Sequence, residues 1–419
     1  MPVILSVRGM RDLLPEDTAH WQAVETTAAA CFARYGYAEI RTPMVERTAL
    51  FCRQLGEHTD VVQKEMYSFI DAGGEELSLR PEATVPTVRA LVENGLRRGG
   101  LERVWYGGPM FRRERPQKGR YRQFWQLGAE AVGVADPVID AEQIIMLAQL
   151  WNDMGVQDKL CLVVNNLGTA DERAHHREKL RTHFRHHESQ LDDAARARID
   201  GNPLRILDSK NKSVQEVVNT APLLANELGT ASQQHVASVK NMITGAGIDF
   251  VEDTTLVRGL DYYNLTVFEW VLKDDSRRQS TLCGGGRYDG LSEQIGGPAL
   301  PGCGFALGLD RLAALVDKAS HPAPTCYLVT TGGSDSYCTT VAEQLRKNGL
   351  SVWRHVGGGN LARQLKKADA MNTALAVIVG TDEESAGEVT LKRLCDGEQQ
   401  QVLTSRVAET AAMMMIQTG

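Results

Sequence analysis

FRRERPQKGRYRQFWQLGAE, residues 111–130, carries six cations (Arg112, Arg113, Arg115, Lys118, Arg120, Arg122) against Glu114 and Glu130. A net charge of +4 is conspicuous in a chain of 419 residues whose total is −7. Pro116 and Gly119 mark a turn, so the stretch reads as strand, basic loop, strand. Alternation after the turn puts Gln126, Gly128 and Glu130 on one face. A solvated basic hairpin is one reading. An anionic ligand is the better one, because guanidinium forks match phosphate oxygens and a nearby amide and carboxylate can fix a polar ligand.

Outward from this hairpin the pattern is mixed. Residues 18–35 read as an amphipathic helix opened by Thr18, and YAEIRTPMVE then alternates as a strand whose ladder Pro43 ends or places at an edge. EELSLRPE, RVWYGGPMFRRE and FWQLGAEAVG suggest antiparallel strands with one polar face. A helix follows over 138–154, and strands return in LVRGLDYYNLTVFEWVL and STLCGGGRYDGL. GFALGLDRLAALVDKA runs from strand into helix. The expected fold class is an α+β domain, an antiparallel sheet flanked by helices, interrupted by a helical insertion over 169–250. After HPAP at 321–324, a linker, TCYLVTTG, SVWRHV and ALAVIVG alternate with helices at 335–348 and 360–371, the βαβαβ pattern of a C-terminal doubly wound α/β domain.

Composition narrows the function classes. With 42% hydrophobic and 24% charged residues the chain is an ordinary globular protein, not a disordered one. No stretch approaches the ~20 apolar residues of a membrane span, and charge enters at Arg8 without a long apolar leader, so the expected compartment is the cytoplasm, with no membrane partner. The eight cysteines have neither CxxC spacing nor regularity, which favours reduced thiols over disulfides or structural zinc. AHHREKLRTHFRHHE holds five histidines in thirteen residues. A polar helix face is the stronger reading there. Zinc at the i, i+4 pair His183 and His187 lacks a third ligand type, and no metal ligand is assigned.

Three further motifs are individually weak. VRGLDYYN at 257–264 groups Arg258, Tyr262 and Tyr263, though strand tyrosines are usually core. CGGGRYDGL at 283–291 is either a tight turn or a place where backbone approaches a ligand. It is neither a Walker loop nor a GxGxxG fingerprint. GFALGLDRL at 304–312 ends with Arg311 at a helix start.

Together these motifs resemble the histidyl-tRNA synthetases, a family of class II aminoacyl-tRNA synthetases, from about residue 7 onward. The first helix and YAEIRTPMVE are similar to class motif 1, FRRERPQKGRYRQF to motif 2 and GFALGLDRL to motif 3. LVRGLDYYN and GGGRYDGL resemble the two signatures of the histidine enzymes, and HVGGGNLARQLKKAD the anticodon-binding domain. The resemblance implies a catalytic domain over 1–168 and 251–320, an insertion domain over 169–250 that clamps the tRNA acceptor arm, and an anticodon-binding domain over 322–419. It implies activation of L-histidine by ATP with Mg²⁺, then transfer to the 3′ end of histidine tRNA, by a homodimer.

Residue by residue, the resemblance puts Arg112 at the α-phosphate, Arg120 and Arg311 on ATP, and Arg258 beside both the histidine carboxylate and the α-phosphate as the catalytic cation. Glu82, Thr84 and Gln126 would receive the α-ammonium, while Glu130, Tyr262 and Tyr263 would line the imidazole pocket. Arg115, Gln117, Lys118 and Arg120 would meet the tRNA acceptor end. Asp310 departs from the Glu usual in motif 3, Trp125 is bulky for its place, and Ala83 follows Glu82 where Gly is common. The competing reading is a catalytically inactive, synthetase-like regulatory subunit of histidine biosynthesis. Such relatives generally lack the anticodon domain and degrade the histidine signatures, both of which are present here.

Overall fold

The computed structural model describes residues 3–55, 64–95, 100–116, 119–207, 209, 211–258, 260, 262–273, 281–318 and 323–416. Gln117 and Lys118 of the basic loop, Gly259 and Asp261, and the first half of the HPAP linker lie outside them. The chain divides into two compact units, Met1–Ala319 and Ser320–Gly419.

Helix α1 (Pro15–Arg34) begins three residues before the expected Thr18. Proline suits the first helical position because its φ is preset and its missing N–H would have had no partner. Thr18 instead donates its hydroxyl to the Pro15 carbonyl at 3.0 Å. The buried residues Trp21, Val24, Ala28, Cys31 and Phe32 return every three or four positions, one apolar stripe. YAEIRTPMVE forms two short strands rather than one, β1 (Ala38–Glu39) and β2 (Val45–Arg47), with Pro43 in the gap. After α2 (Thr48–Leu55), strands β3 (Tyr67–Ile70) and β4 (Glu76–Leu79) complete a three-stranded sheet, β2-β4-β3.

The main sheet starts after α3 (Thr84–Glu93). Strands β5 (Glu102–Phe111) and β6 (Gln123–Val132) are the hairpin expected from the basic stretch, paired antiparallel from Glu102↔Val132 to Phe111↔Gln123. Next come α4 (Pro137–Asp153), β7 (Leu160–Asn166) and the insertion helices α5 (Ala170–His186), α6 (Asp193–Arg196), α7 (Lys212–Val218) and α8 (Thr230–Gly245). Then follow β8 (Phe250–Glu252), β9 (Asn264–Leu272), β10 (Thr281–Arg287), α9 (Leu291–Gln294), β11 (Gly302–Gly308) and the short α10 (Leu309–Ala313). The eight strands order β1-β5-β6-β11-β10-β9-β7-β8. The interior is antiparallel as expected, while each edge pair, β1 with β5 and β7 with β8, is parallel.

The three consecutive glycines make no turn. Gly284, Gly285 and Gly286 sit inside β10, paired with both β9 and β11. Close approach is the reason: a Cβ on Gly285 would lie 2.6 Å from Phe305 Cβ and 2.7 Å from Phe268 Cζ.

Helix α4 is capped by Asp136, which accepts from the Val138 N–H at 2.9 Å. It is buried along most of its length, in a core with Phe32 of α1, Phe305 and Trp270 of the sheet, and Val239 and Ile243 of α8. Inside this core Arg287 and Asp140 meet with no exposed side-chain surface on either. Arg287 Nε donates to both Asp140 oxygens at 3.2 and 3.1 Å, and its other nitrogens reach Asp289 at 3.0 Å and the Val134 and Asp136 carbonyls. His235 of α8 approaches Asp140 at 3.3 Å. One ion pair thereby ties β10, α4 and the end of the insertion.

The insertion has a smaller core of its own, built on Leu180, Phe184, Ile199, Ile206, Val214 and Val217. A capping box opens α5, with Thr169 accepting from the Glu172 N–H and Glu172 from the Thr169 N–H. His183 Nε2 lies 3.1 Å from the Val217 carbonyl and His187 Nδ1 3.0 Å from the His183 carbonyl.

The second unit contains the expected alternation: β12 (Cys326–Thr331), α11 (Asp335–Lys347), β13 (Val352–Arg354), α12 (Leu361–Ala370) and β14 (Leu375–Gly380). These strands run parallel, with β14 wholly buried. After α13 (Thr381–Ala386), β15 (Glu388–Arg393) and β16 (Gln399–Leu403) extend the sheet antiparallel before α14 (Val407–Ile416). The periodicity of the first three strands gave no sign of that hairpin.

Removing one partner of a buried pair strands the other charge. Arg287→Met should therefore lower unfolding free energy by about 3–5 kcal/mol, read from urea unfolding of the full chain. Adding Asp140→Leu should recover part of the loss; an additive double variant would mean the pair is not coupled.

Candidate active site

A cleft of about 380 Å³ opens over the middle of the main sheet. Its floor is Gln126 of β6, Gly284 of β10 and Ala306 and Gly308 of β11; α3, the β5–β6 loop, the segment before β9 and α10 supply the walls. Glu82, Thr84, Arg112, Arg120, Gln126, Arg258, Tyr262, Tyr263 and Arg311, expected together from the sequence, all line it. Arg115 is exposed and does not, and Gln117 and Lys118 are not among the described residues.

One group is cationic. Arg112 Nε donates to the Pro81 carbonyl at 2.9 Å and its guanidinium lies over the Phe124 ring at 5.3 Å. Arg120 pairs with Glu114 at 3.1 Å. Arg311 donates to the carbonyls of Thr281 and Gly119. Burial, then the charges of Arg120 and Arg112, push the Arg311 pKa down. Arg112 and Arg311 are held by carbonyls, which fix their forks without cancelling their charge and so suit a polyphosphate.

The other group is a buried polar network. Glu82 caps α3, accepting the N–H groups of Thr84 and Val85, each at 2.9 Å. Burial raises its pKa against those two bonds. Glu130 is fully buried and lies beneath the lining rather than in it, which alternation along β6 did not reveal. Gly304 on the neighbouring strand has no Cβ, and that vacancy holds the Glu130 carboxyl. Thr84 donates to Glu130 Oε1 at 2.7 Å, Tyr288 to Oε2 at 2.6 Å and Tyr106 to Oε1 at 3.3 Å. Burial pushes the Glu130 pKa up to about 8 despite these bonds. Above it the Tyr262 and Tyr263 rings stand 4.6 Å apart, and Gln126 Oε1 is buried without a hydrogen-bond partner among the described residues. Such an orphaned acceptor asks for a donor from a ligand.

Arg258 joins the two groups. Its guanidinium pairs with Glu269, lies 5.7 Å from the Tyr263 ring centre and fills the space left by Gly284. Burial works against its charge, but Glu269 and the neighbouring tyrosines outweigh that and raise its pKa.

Sequence reasoning missed Glu269, Tyr288 and Tyr106. A lone carboxylate inside the apolar strand VFEWVL was the available signal for Glu269; Tyr288 stood in a quoted motif without a role. Asp310 also finds its place. One oxygen takes Arg11 and the other the Trp125 N–H, both at 3.0 Å, and Arg11 stacks on Tyr121 and Trp21. Trp125 meets Trp21 edge-on at 5.8 Å.

A family model for histidyl-tRNA synthetase matches residues 9–312, and one for an anticodon binding domain matches residues 325–412. The chain is similar to histidine–tRNA ligases of Methylobacillus flagellatus (48% identical, covering 96% of this chain and 98% of that one) and Dechloromonas aromatica (49%, covering 93% and 92%). Its fold is similar to the crystal structure of apo S. aureus histidyl-tRNA synthetase, with TM-score 0.82, 32% identity and 97% and 99% of the two chains covered.

The raised pKa of Glu130 has a signed consequence. Folding takes up a proton there, so its contribution to stability is full below the ~4.3 of a free glutamate and is lost as pH rises through about 8. Thermal midpoints of Glu130→Gln should therefore gain on wild type from about pH 5 to about pH 8 and run parallel above. A pH-independent gap would show that Glu130 is ionised in the folded protein.

Proposed function

The chain belongs to the histidyl-tRNA synthetase family, and from that premise we propose how its cleft serves the reaction. The enzyme, a class II aminoacyl-tRNA ligase, activates histidine with ATP and charges tRNA with it. Among the described residues no helix is long and apolar enough to cross a membrane. We place its work in the cytoplasm. The anticodon-binding match over 325–412 speaks against the non-catalytic regulatory reading.

In the first step the histidine carboxylate attacks the α-phosphorus of ATP in line, the bond to pyrophosphate breaks, and histidyl-adenylate forms. In the second a ribose hydroxyl of the tRNA 3′ end attacks the activated carbonyl and AMP leaves. Such transfers need positioning and charge stabilisation rather than covalent help. In our reading Arg112 meets the α-phosphate, and Arg120 and Arg311 the rest of ATP. Mg²⁺ would accompany ATP, offsetting phosphate charge. A hard cation that keeps waters and substrate phosphates needs only one or two carboxylates. Glu114 lines the cleft with one oxygen paired to Arg120, whereas both oxygens of Asp310 are engaged.

Glu82, Thr84 and Gln126 would receive the histidine α-ammonium. Gln126 Oε1 supports this most directly, because it is a buried acceptor still open to a donor. Tyr262 and Tyr263 would flank the imidazole, with Glu130 beneath. A carboxyl whose pKa is about 8 can meet a ring that offers one donor and one acceptor in either protonation state. Arg115, Gln117, Lys118 and Arg120 would meet the acceptor end of tRNA. The domains would divide as 1–168 with 251–320 for catalysis, 169–250 for the acceptor arm and 322–419 for the anticodon.

A homodimer completes the proposal. Met44, Val45, Phe69 and Ile70 are exposed large hydrophobic residues close to the two short strands of the motif 1 region, more than a solvated face requires. Sedimentation should give twice the mass of one chain; a monomer at micromolar concentration would end this part of the reading.

The observation that carries the mechanism is Arg258, the cation common to both halves of the cleft. A structural cation over a tyrosine ring is worth about 2 kcal/mol or more once desolvated, and acts on stability rather than on rate. A guanidinium placed where carboxylate meets phosphate acts mainly in the transition state, and so in kcat. Wild type should exchange pyrophosphate into ATP with histidine and no other standard amino acid. Arg258→Ala should fold, keep histidine affinity within roughly tenfold (~1.4 kcal/mol), and lose most adenylation while transfer from preformed adenylate suffers less. Near-normal adenylation would remove Arg258 from the mechanism.

A further inference from the structure

The segment before α1 makes a turn, closed by the Met10 N–H on the Val7 carbonyl at 2.8 Å, and lies against the end of the β5–β6 hairpin. The Arg122 N–H donates to the Gly9 carbonyl at 2.7 Å, and the Arg122 guanidinium reaches the Arg8 carbonyl at 3.4 Å. Gly9 takes a φ of +87°, and a Cβ on it would lie 2.9 Å from Pro116 Cγ, so this approach requires glycine. Arg11 reaches two elements at once. Its guanidinium donates to Asp310 of α10 at 3.0 Å and lies over the Tyr121 ring at 4.6 Å.

Each of these contacts stops one residue or one hydrogen bond short of an arginine expected on ATP. The Arg122 carbonyl accepts the Arg112 N–H at 2.9 Å, so Gly9, Arg122 and Arg112 form a line of backbone bonds. Asp310 precedes Arg311, and Tyr121 follows Arg120. Tyr121, Asp310 and Arg311 all line the cleft, whereas Arg11 does not. Helix α10 has only five residues and no side-chain cap, so its direction depends on what holds its first turn. The Asp310 carboxylate does this, with one oxygen on the Trp125 N–H of β6 and the other on Arg11. Burial pushes the Asp310 pKa up, and the Trp125 N–H and Arg11 work against that rise.

We propose that Arg11 is a positioning residue for the ATP half of the cleft, acting through Asp310 and Tyr121 to hold α10 and the approach to β6, and with them Arg311 and the basic loop. The inference rests on the reading of the chain as a histidine-activating enzyme and deepens it. Arg11 needs no contact with substrate for this role. Its fork is spent on a carboxylate and on the rings of Tyr121 and Trp21. The proposed histidine half rests on other bonds, those of Glu82 and Glu130 with Thr84, Val85 and Tyr288. The two substrates should therefore respond unequally when Arg11 is changed.

Arg11→Gln in the full chain should raise the ATP KM of histidine-dependent pyrophosphate exchange about tenfold and leave the histidine KM within about twofold. Arg11→Lys should recover most of the loss, because the ion pair survives although the planar stacking does not. Gly9→Ala displaces the same segment without removing a charge and should give the same split. Asp310→Asn should also raise the ATP KM, and adding Arg11→Gln to it should cost little more, since that partner is already weakened. Equal rises in both KM values, or a lower thermal midpoint with an unchanged ATP KM, would make Arg11 purely structural and overturn the inference. Independent effects of Arg11→Gln and Asp310→Asn on the ATP KM would mean that Arg11 acts by its charge alone, and would overturn it too. Should Arg11→Gln unfold, Arg11→Lys and Gly9→Ala are read by the same split. A wild-type enzyme without histidine-dependent exchange would instead refute the underlying reading.

Discussion

The site depends on the absence of Cβ atoms at the centre of the sheet. Gly128, Gly284 and Gly304 lie on the adjacent strands β6, β10 and β11, and each leaves a hole filled by a large polar side chain from elsewhere: Tyr106, Arg258 and Glu130. A Cβ at Gly304 would fall on the Glu130 carboxyl, and one at Gly302 on the Tyr288 ring that donates to it. Glycine inside an element is less stable than alanine by roughly 0.5–1 kcal/mol. The return is a carboxyl, a guanidinium and two tyrosines packed at sheet depth, each with its own fixed place. A site built on strands rather than loops holds its geometry with less freedom to drift.

Charge follows the same division. Deep in the core, Arg287 is matched at every nitrogen by Asp140, Asp289 and two carbonyls, so the pair is mechanical. In the cleft, Arg112 and Arg311 rest on carbonyl oxygens, which fix the fork without cancelling its charge. Asp310 belongs to the first kind. The shorter carboxylate reaches Arg11 and the Trp125 amide together, and Arg11 in turn lies over Tyr121, a residue of the cleft wall. The two departures from the family pattern are neighbours but separate contacts: Asp310 accepts from the Trp125 backbone N–H, which any residue but proline would offer, while the Trp125 ring meets Trp21 of α1.

Much of the fold was legible because it is periodic. Alternation found the β5–β6 hairpin, amphipathic period found α1, and strict strand–helix exchange found β12 to β14. What failed has a common cause. The glycines of β10 leave a turn and a close approach of backbone to a ligand equally open, because a sequence cannot say that Arg258 and Phe305 occupy the missing side-chain space. Glu130 read as cleft lining because alternation gives the face of a strand but not the depth, which Gly304 sets from a distant part of the chain. Motif resemblance brought nine of the expected residues into one lining, yet it left Glu269 and Tyr288 without roles, since each acts on another side chain.

Arg258 is where these constraints meet. A guanidinium at sheet depth without a partner would be costly, and Glu269 removes that cost while fixing the direction of the fork. The pair is close to neutral, so it does not draw anions by long-range attraction; Arg112 and Arg311, which rest on carbonyls, are better suited to that. What Arg258 adds is local and directional, and such a group stabilises a charge most when that charge develops in one place, as it does between an attacking carboxylate and a phosphorus. In the proposed mechanism Gly284 therefore counts with the arginine, since a Cβ there would lie 2.4–2.5 Å from the guanidinium atoms.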